Sequence, residues 1–269
     1  MTQREMPKLG FGTYGRTGAE GVDAILAALK AGYRHLDTAQ SYGTEGKVGE
    51  AVRQSGLPRD EVFLTTKIDM ANYGAGRLVP SLRESLDRLG VERADLTLLH
   101  WPSPNGELPL PVYLDQIAQA KAEGLTREIG VSNFPISLLD EAIERLGAGE
   151  IAVNQVELNP WFRNRRLADH CAAMGVTVTC YQPIAKGRLG EDPEIAAIAA
   201  AHGAAPEQVA LAWELANGWA AIPTSSRADR IRSNFAALDL SLSREELDRI
   251  DGLDRGARSI DPEWGPDWD

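Results

Sequence analysis

Asp37, Tyr42, Lys67 and His100 fall at or just beyond the ends of three consecutive β-type runs. An ammonium close to a phenol favours the phenolate and lowers the phenol's pKa from its unperturbed value of about 10. An aspartate keeps that ammonium charged and aimed, and a histidine can donate a hydrogen bond to a carbonyl oxygen. Together these groups would protonate and polarise a carbonyl while another agent delivers hydride. The competing reading is a buried Asp37–Lys67 ion pair beside a satisfied core histidine, and each residue alone is more often structural. The combination favours chemistry.

Such a group needs a scaffold that gathers strand ends. Short β-type runs recur at 9–13, 35–37, 62–67, 96–100, 128–132, 153–157, 177–181 and 220–222. Between them, positions 21–30, 77–89 and 135–146 carry apolar residues at spacings of three and four, which places them on one helix face. Gly32, Gly90, Gly124, Gly147 and Gly175 stand where left-handed helix caps belong. Eight strands, each followed by a helix, predict a single α/β domain over 1–269, a closed (β/α)8 barrel. Helical stretches 193–202 and 206–217 both follow the seventh strand, so one is an extra helix. A last helix at 244–253 precedes a loop-like tail rich in Asp, Trp and Pro. Ser243 is its N-cap. A doubly wound open sheet is the structural competitor.

The carboxyl ends of the strands in a parallel barrel form the active site. Beyond the first four residues, those ends supply Trp101, Ser132, Asn133, Gln155, Tyr181, Thr224 and Ser225. Gly10-Phe11-Gly12-Thr13-Tyr14-Gly15 is a literal GxGxxG, and Asp37 lies where a ribose-binding acid would sit. A dinucleotide-binding helix should begin inside the glycine motif, yet helix formers start only after Thr17-Gly18. These glycines are read as turn residues.

The 269 residues are 43% hydrophobic and 25% charged, ample for a large core, and the net charge is −11. An acidic surface disfavours nucleic acid and anionic membranes as partners. The charged start Met1-Thr2-Gln3-Arg4-Glu5 has no apolar h-region, and no run approaches 18 apolar residues. A soluble, cytoplasmic protein is expected, and a monomer by default. Cys171 and Cys180 exclude a disulfide framework and are read as buried thiols. His35 is placed in the barrel wall and His170 and His202 in helices, with no metal-ligand spacing. Trp101 is read as a wall of an apolar substrate pocket and Trp161 as either packing or a second wall.

Six blocks, in order, resemble the aldo-keto reductases over nearly the whole chain. They are Leu9-Gly10-Phe11-Gly12-Thr13-Tyr14, Tyr33-Arg34-His35-Leu36-Asp37-Thr38-Ala39, Thr65-Thr66-Lys67, Leu98-Leu99-His100-Trp101-Pro102, Ile129-Gly130-Val131-Ser132-Asn133-Phe134 and Asn154-Gln155-Val156-Glu157. His100-Trp101-Pro102-Ser103-Pro104-Asn105, Gly124-Leu125-Thr126-Arg127-Glu128-Ile129-Gly130 and the Glu-Trp-type tail resemble the bacterial 2,5-diketo-D-gluconate reductases, B type, within that family. The resemblance implies reduction of aldehydes or ketones by NADPH, bound extended and without a Rossmann fold. It implies Tyr42 as general acid, Lys67 and Asp37 as its tuning pair, and His100 as the residue that orients the carbonyl. Ser132, Asn133 and Gln155 match positions that hold the nicotinamide carboxamide, and Tyr181 the one that stacks on its ring. Ile184 matches the loop over the pyrophosphate, and Ser225, Arg230 and Asn234 the adenosine and 2′-phosphate end. Gly12, Thr13, Gln182 and Thr224 complete the implied cofactor contacts. Tyr14, Tyr42, His100 and Trp101 form the implied substrate contacts. The family usually has lysine where this chain has Thr224, and Arg227 is the candidate substitute. 2,5-Diketo-D-gluconate and methylglyoxal-like carbonyls are the implied substrates. Two other functions stay open at this level: a barrel lyase forming a Schiff base on Lys67, and a nucleotide-binding regulatory protein with little turnover.

Overall fold

The computed structural model describes residues 5–269; the first four, which carry most of the charged N-terminal stretch, lie outside it. In chain order the regular elements are β1 (Phe11–Gly12), α1 (Gly18–Ala31), β2 (His35–Asp37), α2 (Glu45–Ser55), β3 (Phe63–Ile68), α3 (Leu78–Leu89), β4 (Ala94–Leu99) and α4 (Leu110–Ala122). They continue as β5 (Thr126–Ser132), α5 (Ile136–Leu146), β6 (Ile151–Glu157), α6 (Arg165–Ala173), β7 (Thr177–Tyr181), α7 (Pro193–His202), α8 (Pro206–Ala216), β8 (Ala220–Ala221), α9 (Ala228–Phe235) and α10 (Arg244–Asp251).

The eight strands form one sheet in sequence order, and every neighbouring pair is parallel. A bridge between Leu9 and Ala221 joins the first strand region to the last, and Gly10 N–H donates to the Ala221 carbonyl at 2.9 Å. The sheet thereby closes into an α/β barrel of the (β/α)8 type. This closure explains Gly10 and Gly12 of the GxGxxG string, which belong to the first strand region rather than to a turn; only Gly15 lies in a turn, as expected. A Cβ on Gly12 would lie 2.8 Å from the Ile222 carbonyl oxygen, and one on Gly10 would lie 2.5 Å from His35 Nδ1. They permit close strand approach and begin no helix.

Strands buried on both faces read as nearly continuous apolar runs. β3 and β4 are buried throughout. Alternate residues point into the barrel. Phe63, Leu96, Leu98 and Val153 make an apolar plug there; two residues beyond Leu98 and Val153 stand His100 and Gln155, and four beyond Phe63 stands Lys67. The plug closes the barrel from below, so these polar groups can meet only at the carboxyl end. Outside, helices pack an apolar stripe on the strands. α1 buries Val22, Ala24, Ile25, Ala28 and Leu29, and Gly32 ends it in the left-handed region at φ 115°.

Several boundaries differ from expectation. β4 starts earlier, at Ala94, and ends at Leu99, leaving His100 one residue beyond the strand. β1 shrinks to two residues because only those pair regularly with β2. Gly147 has ψ 152° and is not a left-handed cap; its N–H still closes the helix onto the Ile143 carbonyl. Two helices, α7 and α8, separate β7 from β8, and the segment after α10 has no regular element. Ser243 caps α10 in a capping box with Glu246. No helix among the described residues is long and apolar enough to cross a membrane.

Candidate active site

β2, β3 and the β4 exit deliver Asp37, Lys67 and His100 to one point at the carboxyl end of the barrel, and the loop after β2 adds Tyr42. Lys67 is fully buried. Its ammonium donates to Asp37 Oδ1, to the Thr38 carbonyl at 3.1 Å and to Tyr42 Oη at 3.3 Å. Three acceptors match its three N–H bonds, so it has one orientation. The other Asp37 oxygen accepts from Gln155 Nε2 at 2.8 Å. Tyr42 Oη lies 3.4 Å from His100 Nε2, and Ser41 Oγ lies 3.3 Å from His100 Nδ1.

Burial acts on these groups in different directions. It lowers His100 to about 3, with the Lys67 charge adding to the effect, so the imidazole is neutral at ordinary pH. For Lys67, burial favours the neutral amine, but Asp37 and Tyr42 outweigh it and the pKa rises. Burial raises the Tyr42 phenol, and the Lys67 charge and hydrogen bond only partly offset it. This corrects the sequence expectation of a lowered phenol. The lysine acts in the expected sense, but desolvation of the phenolate is the larger effect. Tyr42 therefore rests as a protonated phenol, the form able to give up a proton.

A second polar network adjoins the first. Asn133 sits in the left-handed region at φ 62°, and its amide donates to the His100 carbonyl and to Ser132 Oγ, both at 3.1 Å. The Tyr181 hydroxyl donates to Asn133 Oδ1 at 2.7 Å, and Ser132 Oγ donates to the Gln155 carbonyl at 2.8 Å. Ser132 of β5, Asn133 just beyond it, the Gln155 carbonyl of β6 and Tyr181 of β7 are thus linked to one another beside the tetrad.

Both networks line one cavity of about 860 Å³, near the upper end for small-molecule sites. It runs past Tyr181 and Ile184 to Thr224, Ser225, Arg230 and Asn234. Gly12, Thr13, Tyr14, Trp101 and Gln182 also line it. Two sequence-predicted residues do not. Lys67 is covered by Asp37 and Tyr42. Arg227 is exposed and gripped by Asp229 through contacts of 3.1 and 2.6 Å, so it is poorly placed to replace the missing lysine. Thr224 Oγ1 is buried without a hydrogen-bond partner. The cavity thus brings together the Tyr181 ring, the Arg230 guanidinium and the unsatisfied Thr224 hydroxyl.

The model of the Aldo/keto reductase family matches residues 8–255. The chain belongs to the aldo/keto reductase family. It is 43% identical over 265 residues to methylglyoxal reductase DkgB of Yersinia pestis, covering 98% of this chain and 99% of that protein. It is 40% identical over 262 residues to an aldo-keto reductase of Mycobacterium avium, covering 96% and 90% of the two chains. A crystal structure provisionally assigned as a 2,5-diketo-D-gluconic acid reductase B superposes with a TM-score of 0.94 at 37% identity, over 98% of this chain and 94% of that one. This aldo/keto reductase is accordingly an oxidoreductase of the carbonyl-reducing kind. Members of its family generally use NADPH or NADH.

Sequence reasoning missed several features of this reductase. Glu157 closed a recognised block but received no role. Its buried carboxylate accepts from Ser259 N–H at 2.9 Å, Ser259 Oγ at 2.6 Å and Ile260 N–H at 2.8 Å. It thereby pins the C-terminal tail over the barrel mouth, where Ile260 reaches the cavity. The tail also brings Trp264 and Trp268 edge-on to Trp101, at 5.2 and 6.0 Å between ring centres. Trp161 is a packing residue: it lies outside the cavity, donates to Asp192 at 3.0 Å and carries the Arg255 guanidinium on its ring. Lys186 and Glu207 line the cavity without any motif announcing them.

Proposed function

We propose that this reductase uses NADPH to reduce aldehyde or ketone carbonyls to alcohols, with Tyr42 as the acid. When bound, NADPH supplies the hydride. The observation that carries this reading is the Asp37–Lys67–Tyr42–His100 group at the inner end of the cavity. A carbonyl oxygen seated between Tyr42 Oη and His100 Nε2 meets two potential donors. His100, neutral and with Nδ1 facing the Ser41 hydroxyl, can carry its proton on Nε2 and orient the carbonyl. Tyr42 gives its proton to the developing alkoxide, and the adjacent Lys67 ammonium stabilises the phenolate left behind. Asp37 and Gln155 keep that ammonium in place. Ser132, Asn133 and Gln155 would hold the carboxamide, Tyr181 the ring face, and Arg230 the 2′-phosphate.

At the carbonyl end the walls are Tyr14, Tyr42, His100, Trp101 and Ile260; Lys67 is already paired with Asp37, and the Arg258 guanidinium behind Trp101 is covered by the Trp268 and Phe162 rings. That lining favours compact, neutral or aromatic carbonyls such as methylglyoxal over anionic keto-sugar acids such as 2,5-diketo-D-gluconate. The Schiff-base alternative loses ground because Lys67 stays protonated and carries three hydrogen bonds. The test is NADPH consumption over a panel holding both substrates and simple aromatic aldehydes. Turnover of methylglyoxal with a higher kcat/KM than 2,5-diketo-D-gluconate is expected. Borohydride trapping of an adduct on Lys67, without NADPH oxidation, would overturn the proposal.

A further inference from the structure

We propose that Ser41 is the positioning residue that keeps the His100 proton on Nε2, where it can be donated to a bound carbonyl. The inference rests on the reductase reading given above and adds a residue to it. A carbonyl oxygen only accepts, so a histidine that orients it must carry its proton on the ring nitrogen that faces it. That nitrogen is Nε2, 3.4 Å from Tyr42 Oη. Which nitrogen is protonated is set by what the other one meets. An acceptor-only group at Nδ1 would draw the proton there and leave Nε2 bare. Each of the other three histidines faces such a group. His35 Nδ1 lies 3.3 Å from the Pro7 carbonyl, His170 Nε2 lies 2.6 Å from Asp140, and His202 Nε2 lies 2.7 Å from Glu246. Among the described residues, the His100 ring alone meets only hydroxyls, with Ser41 Oγ 3.3 Å from Nδ1. The Ser41 hydroxyl makes no other hydrogen bond among the described residues and is exposed, so water can fill its lone pairs while its proton goes to Nδ1.

The backbone that carries Ser41 is held firmly. Gln40–Tyr42 form a single tight helical turn, which Gly43 closes at φ 66°. Gln40 anchors this turn to two other elements. Its Nε2 donates to the Ser81 carbonyl at 3.1 Å, to Ser81 Oγ at 3.2 Å and to Ser85 Oγ at 3.0 Å, all on α3. Its Oε1 accepts from Asp69 N–H at 2.8 Å and from Asn72 Nδ2 at 3.0 Å, just beyond β3. Ser41 is the next residue, so its hydroxyl reaches the imidazole from a fixed turn. On the other side the Asn133 amide holds the His100 carbonyl at 3.1 Å. The count of protons agrees with this arrangement. With the His100 Nε2–H and the Lys67 ammonium both aimed at Tyr42 Oη, the lone pairs of that oxygen are occupied and its own proton is left for the cavity. In the opposite tautomer the phenol proton would be spent on the bare Nε2. Neither group could then donate to a carbonyl until that hydrogen bond broke.

The experiment reads the tautomer directly, by proton–nitrogen correlation NMR on protein with isotope-labelled histidine, in which protonated and bare ring nitrogens give separate signals. The set lost in His100→Gln assigns the ring. Wild type, Ser41→Ala and Ser41→Thr are also assayed for methylglyoxal reduction by NADPH and for NADPH binding by tryptophan quenching, and circular dichroism checks their folding. Wild type should carry the His100 proton on Nε2 at neutral pH. Ser41→Ala should show the Nδ1–H form or a mixture, with kcat/KM lower by about two- to tenfold, the worth of one neutral hydrogen bond, and unchanged NADPH binding. Ser41→Thr keeps a hydroxyl and should restore the wild-type signals and most of the rate. A wild type with the proton on Nδ1 would overturn the inference, as would wild-type signals in Ser41→Ala or a shifted tautomer with undiminished turnover. A wild type that places the proton on Nε2 but reduces no carbonyl would instead overturn the reductase reading beneath it.

Discussion

The two ends of the cavity are built on opposite principles. At the inner end Asp37, Lys67, Ser132, Asn133 and Gln155 are buried on strands or directly beyond them, and their polar atoms are largely committed to one another. At the outer end Lys186 and Arg230 are exposed, stand on a loop and on α9, and have no ionic partner among the described residues. The inner end is preorganised: its charges are fixed before a ligand arrives, in surroundings where electrostatic interactions are strong. The outer end waits for its partner, in a solvent that screens each charge. The inner end should therefore govern rate and fold, and the outer end affinity.

The largest break in that comparison should come from Tyr42→Phe. Loss of a general acid typically costs about 10² to 10⁴-fold, so kcat should fall by at least the lower figure. NADPH binding, measured by tryptophan quenching, should stay within a few-fold, because the hydroxyl is not assigned to the cofactor. Near-normal turnover would remove Tyr42 as the acid.

Lys67→Met should damage stability as well as rate. It leaves the Asp37 carboxylate buried beside one amide donor, a situation that typically costs about 3–5 kcal/mol. The shift in the urea midpoint, read with an unchanged m-value, measures it. A double Asp37→Leu/Lys67→Met protein should recover much of that stability and none of the activity. If Lys67→Met unfolded at the wild-type midpoint, the buried pair would be no stronger a commitment than a surface one.

The outer end should respond in affinity alone. Arg230→Ala is expected to weaken NADPH by about tenfold and leave NADH nearly unchanged, with kcat at saturating cofactor preserved. Thr224→Lys should act in the opposite sense, because it would add a cation at the proposed 2′-phosphate site. A drop in kcat for Arg230→Ala at saturating cofactor would show that the two ends are coupled.

The smallest expected effect is an absence of pH dependence. His100 is lowered to about 3, so it is already neutral well below pH 5. Tyr42 is raised above its ordinary value near 10, so it stays protonated well above pH 8. Neither group changes charge in between, and kcat/KM should be flat from about pH 5 to 9. A limb near pH 6.5 would mean that His100 is charged in the free enzyme, contrary to its burial.

Much of this architecture was legible in the chain. The eight strand runs, the tetrad and the Ser132, Asn133 and Gln155 positions all emerge from local pattern, because strand period and sharp turns are set by neighbours in sequence. What local pattern could not show is how far desolvation counts. The Lys67 effect on Tyr42 has the expected sign, yet the phenol rises, since burial is a sum over every element packed around it. Arg227 looked like a spare cation until its neighbour Asp229 proved close enough to take it. Glu157 offered no signal, because its partners lie about a hundred residues further along.

The amino-acid order alone determined the alternation that makes a barrel and the residues that meet at its carboxyl end, because closing eight parallel strands leaves a single rim for their ends to share. The tertiary structure decided the rest: which charges are spent, which remain free, and which way each proton equilibrium leans. Those depend on distances between segments remote in sequence and on the water excluded between them. Neither quantity is carried by any short stretch of the chain.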